Sequence, residues 1–573
     1  MAVSIIPSSH VLSQGDTLTF FTSIATSVEF YPHENTTRDT DVQALAFSAF
    51  MEAGQLGSSS LFDRHSKAWA DFYNSGIEVV PSSDSPLMVE KAMDLAAHIN
   101  SSIYFLYSSL REDWFPGVSP GGAATQNYQG AVFMDMDFWM QPPLYFLQPK
   151  FCQSLLEYRY LSLNTSLGIA SVFGYNGSMF AWTAAYLGRP FGCCDGKGGY
   201  ENCLEQHVTG DIGFSVWQFY QSQRNMTWLR TRGWPLIKGI AEFYMSRVEP
   251  KPSLSYDGKY SINGVLPIDE WCVDSGCGCE QPGVDNDAQM NGVGIASLVA
   301  ASKIANILGL ASDLTKLWEK VGTNLVLSMN TTASGESHHN QFDSKKCPGG
   351  WGGSHYSPSH TVCPEDVLML SYPLGDFLNI SSNITRADAQ LFVPITCKEN
   401  AGMTTPIHAI VWLSLGETVR AQAELNRSLH AACYGPFHVR NEIDKHADIV
   451  GGHYDNSHFL TGDGGFLQAI LNGYGGLRIV EKGLKLLHPY LPEGVGMLHF
   501  RKLSWRTLTL TFKFDAANMS ILSESEEPFC LVDSKGLGAL VKSNITLDLH
   551  LFSFPGMILR PTEFPSCGKS MDV

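Results

Sequence analysis

The chain has 573 residues, 44% of them hydrophobic, 11% aromatic and 16% charged. An average soluble domain carries roughly 25% charge. A chain this apolar and this weakly charged is not disordered, and it builds a large core without needing a disulfide or a metal. Lys+Arg is 38 against Asp+Glu 56, a net charge of −18 with no basic stripe. That balance excludes a phosphate-backbone partner, so no nucleic acid is expected, and it fits a neutral polar substrate.

The first thirty residues read as strand: Thr17–Phe21 alternates, and Ile24–Val28 continues it with β-branched and aromatic residues. A single strand does not fold alone. Residues 1–30 are therefore expected to be the remnant of an N-terminal β-sandwich. Met1–Pro7 carries no basic stretch, so it is not a leader as written.

From about 31 to 484 the period is helical. Val42–Ala53, Glu90–Leu110, Leu155–Phe173, Trp228–Val248 and Ile295–Leu310 each place apolar residues at i, i+3, i+4 and i+7. Short loops rich in Gly, Pro, Asp and Ser separate them, such as Phe115–Gly122 and Gly192–Gly199. Ten or so helices in one block predict a helical barrel or toroid, with its loops and its chemistry at one rim. From about 485 to 573 the period becomes two, as in Leu508–Phe512 and Ile545–Leu549, with turn residues at Asp533–Gly538. This predicts a C-terminal β domain, sandwich-like in its alternation.

No window of about 18 apolar residues is free of a charge or polar break, so no membrane span is expected. Thirteen Cys and eleven Asn-X-Ser/Thr sequons (Asn35, Asn100, Asn164, Asn176, Asn225, Asn330, Asn379, Asn383, Asn426, Asn518 and Asn544) are present. Random placement would give roughly three or four sequons. The excess predicts a secreted or lysosomal glycoprotein with disulfides, the alternative being a cytoplasmic enzyme with buried thiols. The oligomeric state is not legible.

Gly-X-Ser-X-Gly, His-Glu-X-X-His and Walker motifs are absent, and no cofactor is expected. His446, His453 and His458 match no common zinc spacing and read as loop histidines, so no metal is expected either. Four segments instead pair acids with aromatics and Gly outside the helical runs: Met134–Met140, Glu205–Asp211, Asn263–Trp271 and Phe437–Glu442. Carboxylates beside apolar walls suit glycoside hydrolysis. One acid there must stay protonated to donate to the leaving oxygen, and a second acts as base or nucleophile.

These segments resemble glycoside hydrolase family 65, which holds acid trehalases, disaccharide phosphorylases and the protein-glucosylgalactosylhydroxylysine glucosidase. The pieces occur in family order: Ser119-Pro120-Gly121-Gly122, Tyr128-Gln129-Gly130, Asp135–Met140, Phe180-Ala181-Trp182, Glu205–Ile212, Asp269-Glu270-Trp271, Val284-Asp285-Asn286 and Phe459–Gln468. The resemblance implies a mainly α fold, an (α/α)6 barrel followed by a small C-terminal β domain, with most of the family's N-terminal sandwich missing here.

The resemblance also implies inversion, with Glu270 as general acid and Glu442 as the base that activates water. Phosphorylases do not need that base. It implies that Asp135 holds hydroxyls of the non-reducing glucose, that Trp182 and Trp139 belong to the same subsite, and that Glu205 and His207 line or buttress it. The expected substrate is a glucose α-linked in a disaccharide unit, on a carbohydrate or glycopeptide, most of all glucosyl-galactosyl-hydroxylysine of collagen-type glycans. Trehalose hydrolysis is the nearest alternative, and a non-catalytic glycan-binding relative is a third. The chain departs from the family at Met134 and Ala131, at Cys363-Pro364 where a Lys-Gln pair is usual, and by added segments Cys272–Gly283 and Cys347–His360.

Overall fold

The structure is a computed structural model that describes residues 2–4, 13, 21–26, 39–125, 127–190, 201–268, 283–332, 334–343, 366–396, 398, 401–445, 457–533, 538–541, 546–551 and 556–561. Two compact units divide the chain, Met1–Gly76 and Ile77–Val573.

In the first unit, Ala2–Ser4 pairs antiparallel with Thr22–Ile24, Ala2 lying opposite Ile24. A long helix, Asp39–Phe72, follows and is interrupted at Gly57, whose φ of 75° and ψ of 165° are non-helical. Ala25, Val42 and Ala46 make its small buried core. Thr22–Ile24 meets the expected Ile24–Val28 at Ile24 and follows the expected Thr17–Phe21, of which residues 17–20, like 27 and 28, lie outside the described residues. The helix begins three residues before the expected Val42–Ala53 and runs nineteen residues past it.

The second unit is built on six helix pairs. The outer members are Pro86–Ser108, Pro149–Leu161, Trp234–Arg247, Asp313–Thr323, Ser382–Phe392 and Thr418–His430. The inner members are Met136–Leu147, His207–Gln223, Ala288–Leu308, the short pair Asp366–Met369 and Gly375–Leu378, Ala401–Ser414, and Leu460–Tyr474. Each inner member touches the next, and Leu460–Gln468 returns to Met136–Met140, so the inner ring closes. This is the (α/α)6 barrel.

Sequence explains the two roles. Outer Asp313–Thr323 buries Thr315, Trp318, Val321 and Gly322, one stripe of an amphipathic helix opened by a Ser312–Thr315 capping box. Inner His207–Gln223 is buried on nearly every side. Inner Ala288–Leu308 is long and apolar enough to cross a bilayer by composition, yet 72% of its apolar window lies inside the protein. The expected helix Leu155–Phe173 is two helices that meet at Ser162.

Two five-stranded sheets complete the unit. One runs in the order 546–550, 518–523, 508–514, 495–505, 76–81. The other runs 538–541, 529–533, 557–561, 483–486, 477–480. Leu508–Phe514 buries Leu508, Leu510, Phe512 and Phe514 on alternate positions, as its period requires. The edge strand Gly76–Pro81 was not foreseen. It joins the C-terminal strands through Glu78, which pairs with His499 at 2.8 Å and Arg501 at 2.9 Å.

Candidate active site

Asp135 precedes a π-helical turn, Met136–Met140, that opens the first inner helix. Such turns re-aim side chains and recur at functional sites. Asp135 is 6% exposed, and its Oδ1 accepts a 2.5 Å hydrogen bond from Thr461 Oγ1 on the last inner helix. Burial pushes its carboxyl up to about 6 against that bond, with Asp137 and Asp211 adding repulsion. Asp137, likewise raised to about 6 by burial, is held by Arg159 at 2.5 Å and by Gln141 at 3.2 Å. Arg159 also donates to Phe133 O at 2.9 Å, which fixes the chain just before Asp135. Trp139 is fully enclosed, its indole N–H donating to Met403 O at 3.2 Å.

Glu442 follows a short hairpin, Cys433–Tyr434 with Val439–Arg440. Its carbonyl accepts from Gly402 N at 2.8 Å. Its carboxylate Oε2 accepts from Tyr128 Oη at 2.9 Å. Tyr128 stacks on Phe459 (centroids 5.9 Å apart, 25°) and meets Phe133 edge-on at 6.4 Å. Phe133 in turn meets Trp182 edge-on at 5.3 Å and 89°. Antiparallel hydrogen bonds between Val132 and Ala184 hold those two segments together. A continuous aromatic wall therefore runs from Trp182 to the Glu442 carboxylate and ends two residues from Thr461, the partner of Asp135. The indole nitrogen of half-buried Trp182 is itself buried and has no hydrogen-bond partner among the described residues.

Glu205 and His207 form the adjacent polar group. His207 is completely buried between Asp211 (Nδ1 to Oδ2, 2.7 Å) and Glu205 (Nε2 to Oε1, 3.1 Å). Burial alone would lower its pKa, but Asp211 and then Glu205 outweigh it and raise it well above the usual value. Gln289 anchors the other Asp211 oxygen at 2.9 Å. Asp287 caps the helix Ala288–Leu308 through Met290 N at 2.7 Å. Its second oxygen is buried and without a partner among the described residues, and burial lifts its carboxyl to about 7. Leu266 N donates to Leu204 O, so the segment that runs on toward Glu270 passes beside Glu205. Glu270 itself, with Asp269, Trp271 and the Cys272 segment, lies outside the described residues, as do Cys363-Pro364, all of Cys347–His360, His446 and His453.

Four residues around these groups hold left-handed backbones without being glycine: Gln129 (φ 52°), Asn286 (50°), His438 (55°) and His458 (62°). Each sits within four residues of a side chain just described, as expected where packing over-determines a functional constellation. Sequence reasoning assigned no role to Tyr128, Phe133, Thr461 or Asp287, although Tyr128 and Thr461 lie in motifs that carry the family resemblance. Clusters of His, Cys and Asp with ligand spacing lie apart from the wall, around His98.

The arrangement presents a carboxylate fixed by a phenol, a second carboxyl fixed by a hydroxyl, and ring faces between them. Aromatic faces pack on the C–H surfaces of a sugar, and carboxylates accept from its hydroxyls.

Residues 101–433 match the glycosyl hydrolase family 65 central catalytic domain. The chain is 31% identical to a protein-glucosylgalactosylhydroxylysine glucosidase of Dictyostelium discoideum, over 81% of this chain and 60% of that protein. It is 30% identical to a kojibiose hydrolase of Flavobacterium johnsoniae, over 79% of this chain and 58% of that protein. The chain thus spans a little under two thirds of the length of these relatives. A solved structure described as a kojibiose phosphorylase from the human microbiome superposes over 90% of this chain and 68% of its own, with a TM-score of 0.64 at 16% identity, a likeness of fold. With the closed ring of helix pairs, the C-terminal sheets and the match across the barrel, the chain belongs to glycosyl hydrolase family 65.

Proposed function

We propose that this protein is an inverting α-glucosidase that releases glucose from an α-linked disaccharide unit. Glu442 activates the water and Glu270 protonates the leaving oxygen. The observation that carries this reading is the Tyr128–Glu442 hydrogen bond at the end of the aromatic wall. A phenol donating to Oε2 fixes the orientation of the carboxylate, as a general base requires. A phosphorolytic enzyme, with phosphate as nucleophile, would not need that residue. Asp135 takes hydroxyls of the glucose, and Trp182, through its ring face, forms the subsite wall. Glu205 and His207 are the buttress beside it, with Trp139 behind Asp135.

The preferred substrate is the glucosyl-galactosyl-hydroxylysine unit of collagen-type glycans, in keeping with the relative of that name. Trehalose is the second candidate. We further propose a secreted or lysosomal glycoprotein with disulfides. Of the nine sequon asparagines among the described residues, eight are exposed and none is buried.

The test is glucose release from a collagen glycopeptide, kojibiose and trehalose, with the product anomer read by NMR at early times. Inversion gives β-glucose from an α-linkage, and both Glu270→Gln and Glu442→Gln abolish release. Alpha-glucose as first product, or full activity in either variant, refutes the assignment. A strict dependence on phosphate refutes hydrolysis.

A further inference from the structure

The hairpin that precedes Glu442 carries a second cluster. Cys433 lies opposite Arg440 in the ladder, and His438 sits at its turn with a φ of 55°. The hairpin packs on the outer helix Pro86–Ser108, which brings Cys433 Sγ to 3.7 Å from His98 Nδ1. The imidazole rings of His98 and His438 lie 4.2 Å apart, centroid to centroid. One donor atom from each of His98, Cys433 and His438 falls within 4.8 Å of the other two. Cys433 is a buried free thiol, His98 is 3% exposed and His438 is half-buried.

These distances match a coordination polyhedron. A thiolate about 2.3 Å and an imidazole nitrogen about 2.0–2.1 Å from a tetrahedral zinc stand about 3.5 Å from each other. The Cys433–His98 separation needs almost no adjustment, and His438 closes by side-chain rotation. One thiolate with two imidazoles is a ligand set of Zn2+ rather than of Mg2+ or Ca2+. Asp94 Oδ1 faces the other nitrogen of His98 at 3.8 Å, the placement of a carboxylate that orients a ligating histidine. The nearby Arg440 guanidinium contacts Asp463 at 3.2 Å and Ser428 O at 2.8 Å, and its charge also reaches the cluster, where it favours the Cys433 thiolate.

We propose that His98, Cys433 and His438 form a three-ligand zinc site that ties the hairpin to the outer helix, with its fourth position open to solvent on the His438 side. Binding displaces the Cys433 thiol proton to solvent as the S–Zn bond forms. The site is independent of the glycosidase reading, although its ion would fix the segment from which Glu442 projects two residues after Arg440.

The test uses the full chain, stripped of metal and titrated with Zn2+ by calorimetry and with Co2+ by absorption. Twelve other cysteines are present, so the readout is the difference between variants. Wild type is expected to bind one more equivalent than Cys433→Ser, to show thiolate-to-cobalt charge transfer that this variant loses, and to gain Tm with Zn2+ where the variant does not. His438→Gln, at a half-exposed position, is expected to weaken binding at least tenfold with the metal-free Tm unchanged. Equal stoichiometry and equal cobalt spectra in wild type and Cys433→Ser overturn the proposal. Should Cys433→Ser not fold, unchanged affinity in His438→Gln overturns it, and the tenfold loss there supports it.

Discussion

Tyr128 and Glu442, 314 residues apart in sequence, meet through a 2.9 Å hydrogen bond from phenol to carboxylate. A hydrogen bond to a charged group contributes about 2 kcal/mol, or about thirtyfold in a rate that depends on it. Tyr128→Phe keeps the ring on Phe459 and removes only the donor. Its kcat for glucose release is expected to fall about thirtyfold with KM changed little and Tm preserved. A kcat within a factor of two of wild type would show that the bond does not position the base.

Gly402 approaches the same residue from behind. A Cβ there would lie 2.2 Å from Asn441 O and 3.1 Å from Glu442 Cα. Backbone cannot yield as a flexible side chain does, and overpacking of this kind costs about 1–3 kcal/mol. Gly402→Ala should lower Tm measurably and reduce activity further than the fraction unfolded explains. Thermal unfolding and kinetics on the same preparation separate the two effects.

Thr461 is predicted to act through Asp135. Asp135→Ala removes the carboxylate, leaving buried sugar hydroxyls unpaired, and is expected to lower kcat/KM at least a hundredfold, since about 1–3 kcal/mol attaches to each such group. Thr461→Val should cost about tenfold, and the double variant should be no worse than Asp135→Ala alone, the non-additivity of a single working unit. Additive losses would place Thr461 in an independent role.

Stability should fall as pH rises. Burial lifts Asp135 and Asp137 to about 6 and Asp287 and Asp463 to about 7, against about 3.9 in the unfolded chain. Between these values the folded state holds protons that the unfolded state has released, so low pH favours folding. His207, raised well above its ordinary value, acts the same way: its contribution is complete below about 6.5 and is lost as pH rises through its folded value. His98, lowered to about 2 chiefly by burial, and His458, also lowered by burial, oppose the trend up to about pH 6.5, but two imidazoles stand against four carboxyls. The Tm at pH 5 is expected to exceed that at pH 7.5. Asp287→Asn, which retains a cap for Met290 N, should flatten the slope. A Tm that rises over this range contradicts the account.

Much of the barrel was legible because its helices carry their own period: Glu90–Leu110 lies almost entirely within the observed Pro86–Ser108 helix. The break at Ser162 was not, since apolar spacing runs across it and packing of the two halves decides the turn. Gly76–Pro81 escaped notice because its partner strand is Val495–Trp505, and no local pattern reports a pairing so remote. In the site, Asp135 and Glu442 stood out by motif order. Tyr128 and Thr461 lay in such motifs yet received no role, because their roles exist only once distant segments close, and His98 beside Cys433 is hidden for the same reason.

The edge strand Gly76–Pro81 has a further consequence for how the molecule is made. It leaves the ribosome long before the strand it joins, and a lone edge invites the wrong neighbour. Biosynthesis therefore cannot finish the barrel's flank piecemeal. A nascent chain arrested before residue 495 would present an open ribbon for chaperones to shield, and trimming the protein at that end should yield aggregates rather than a smaller working enzyme.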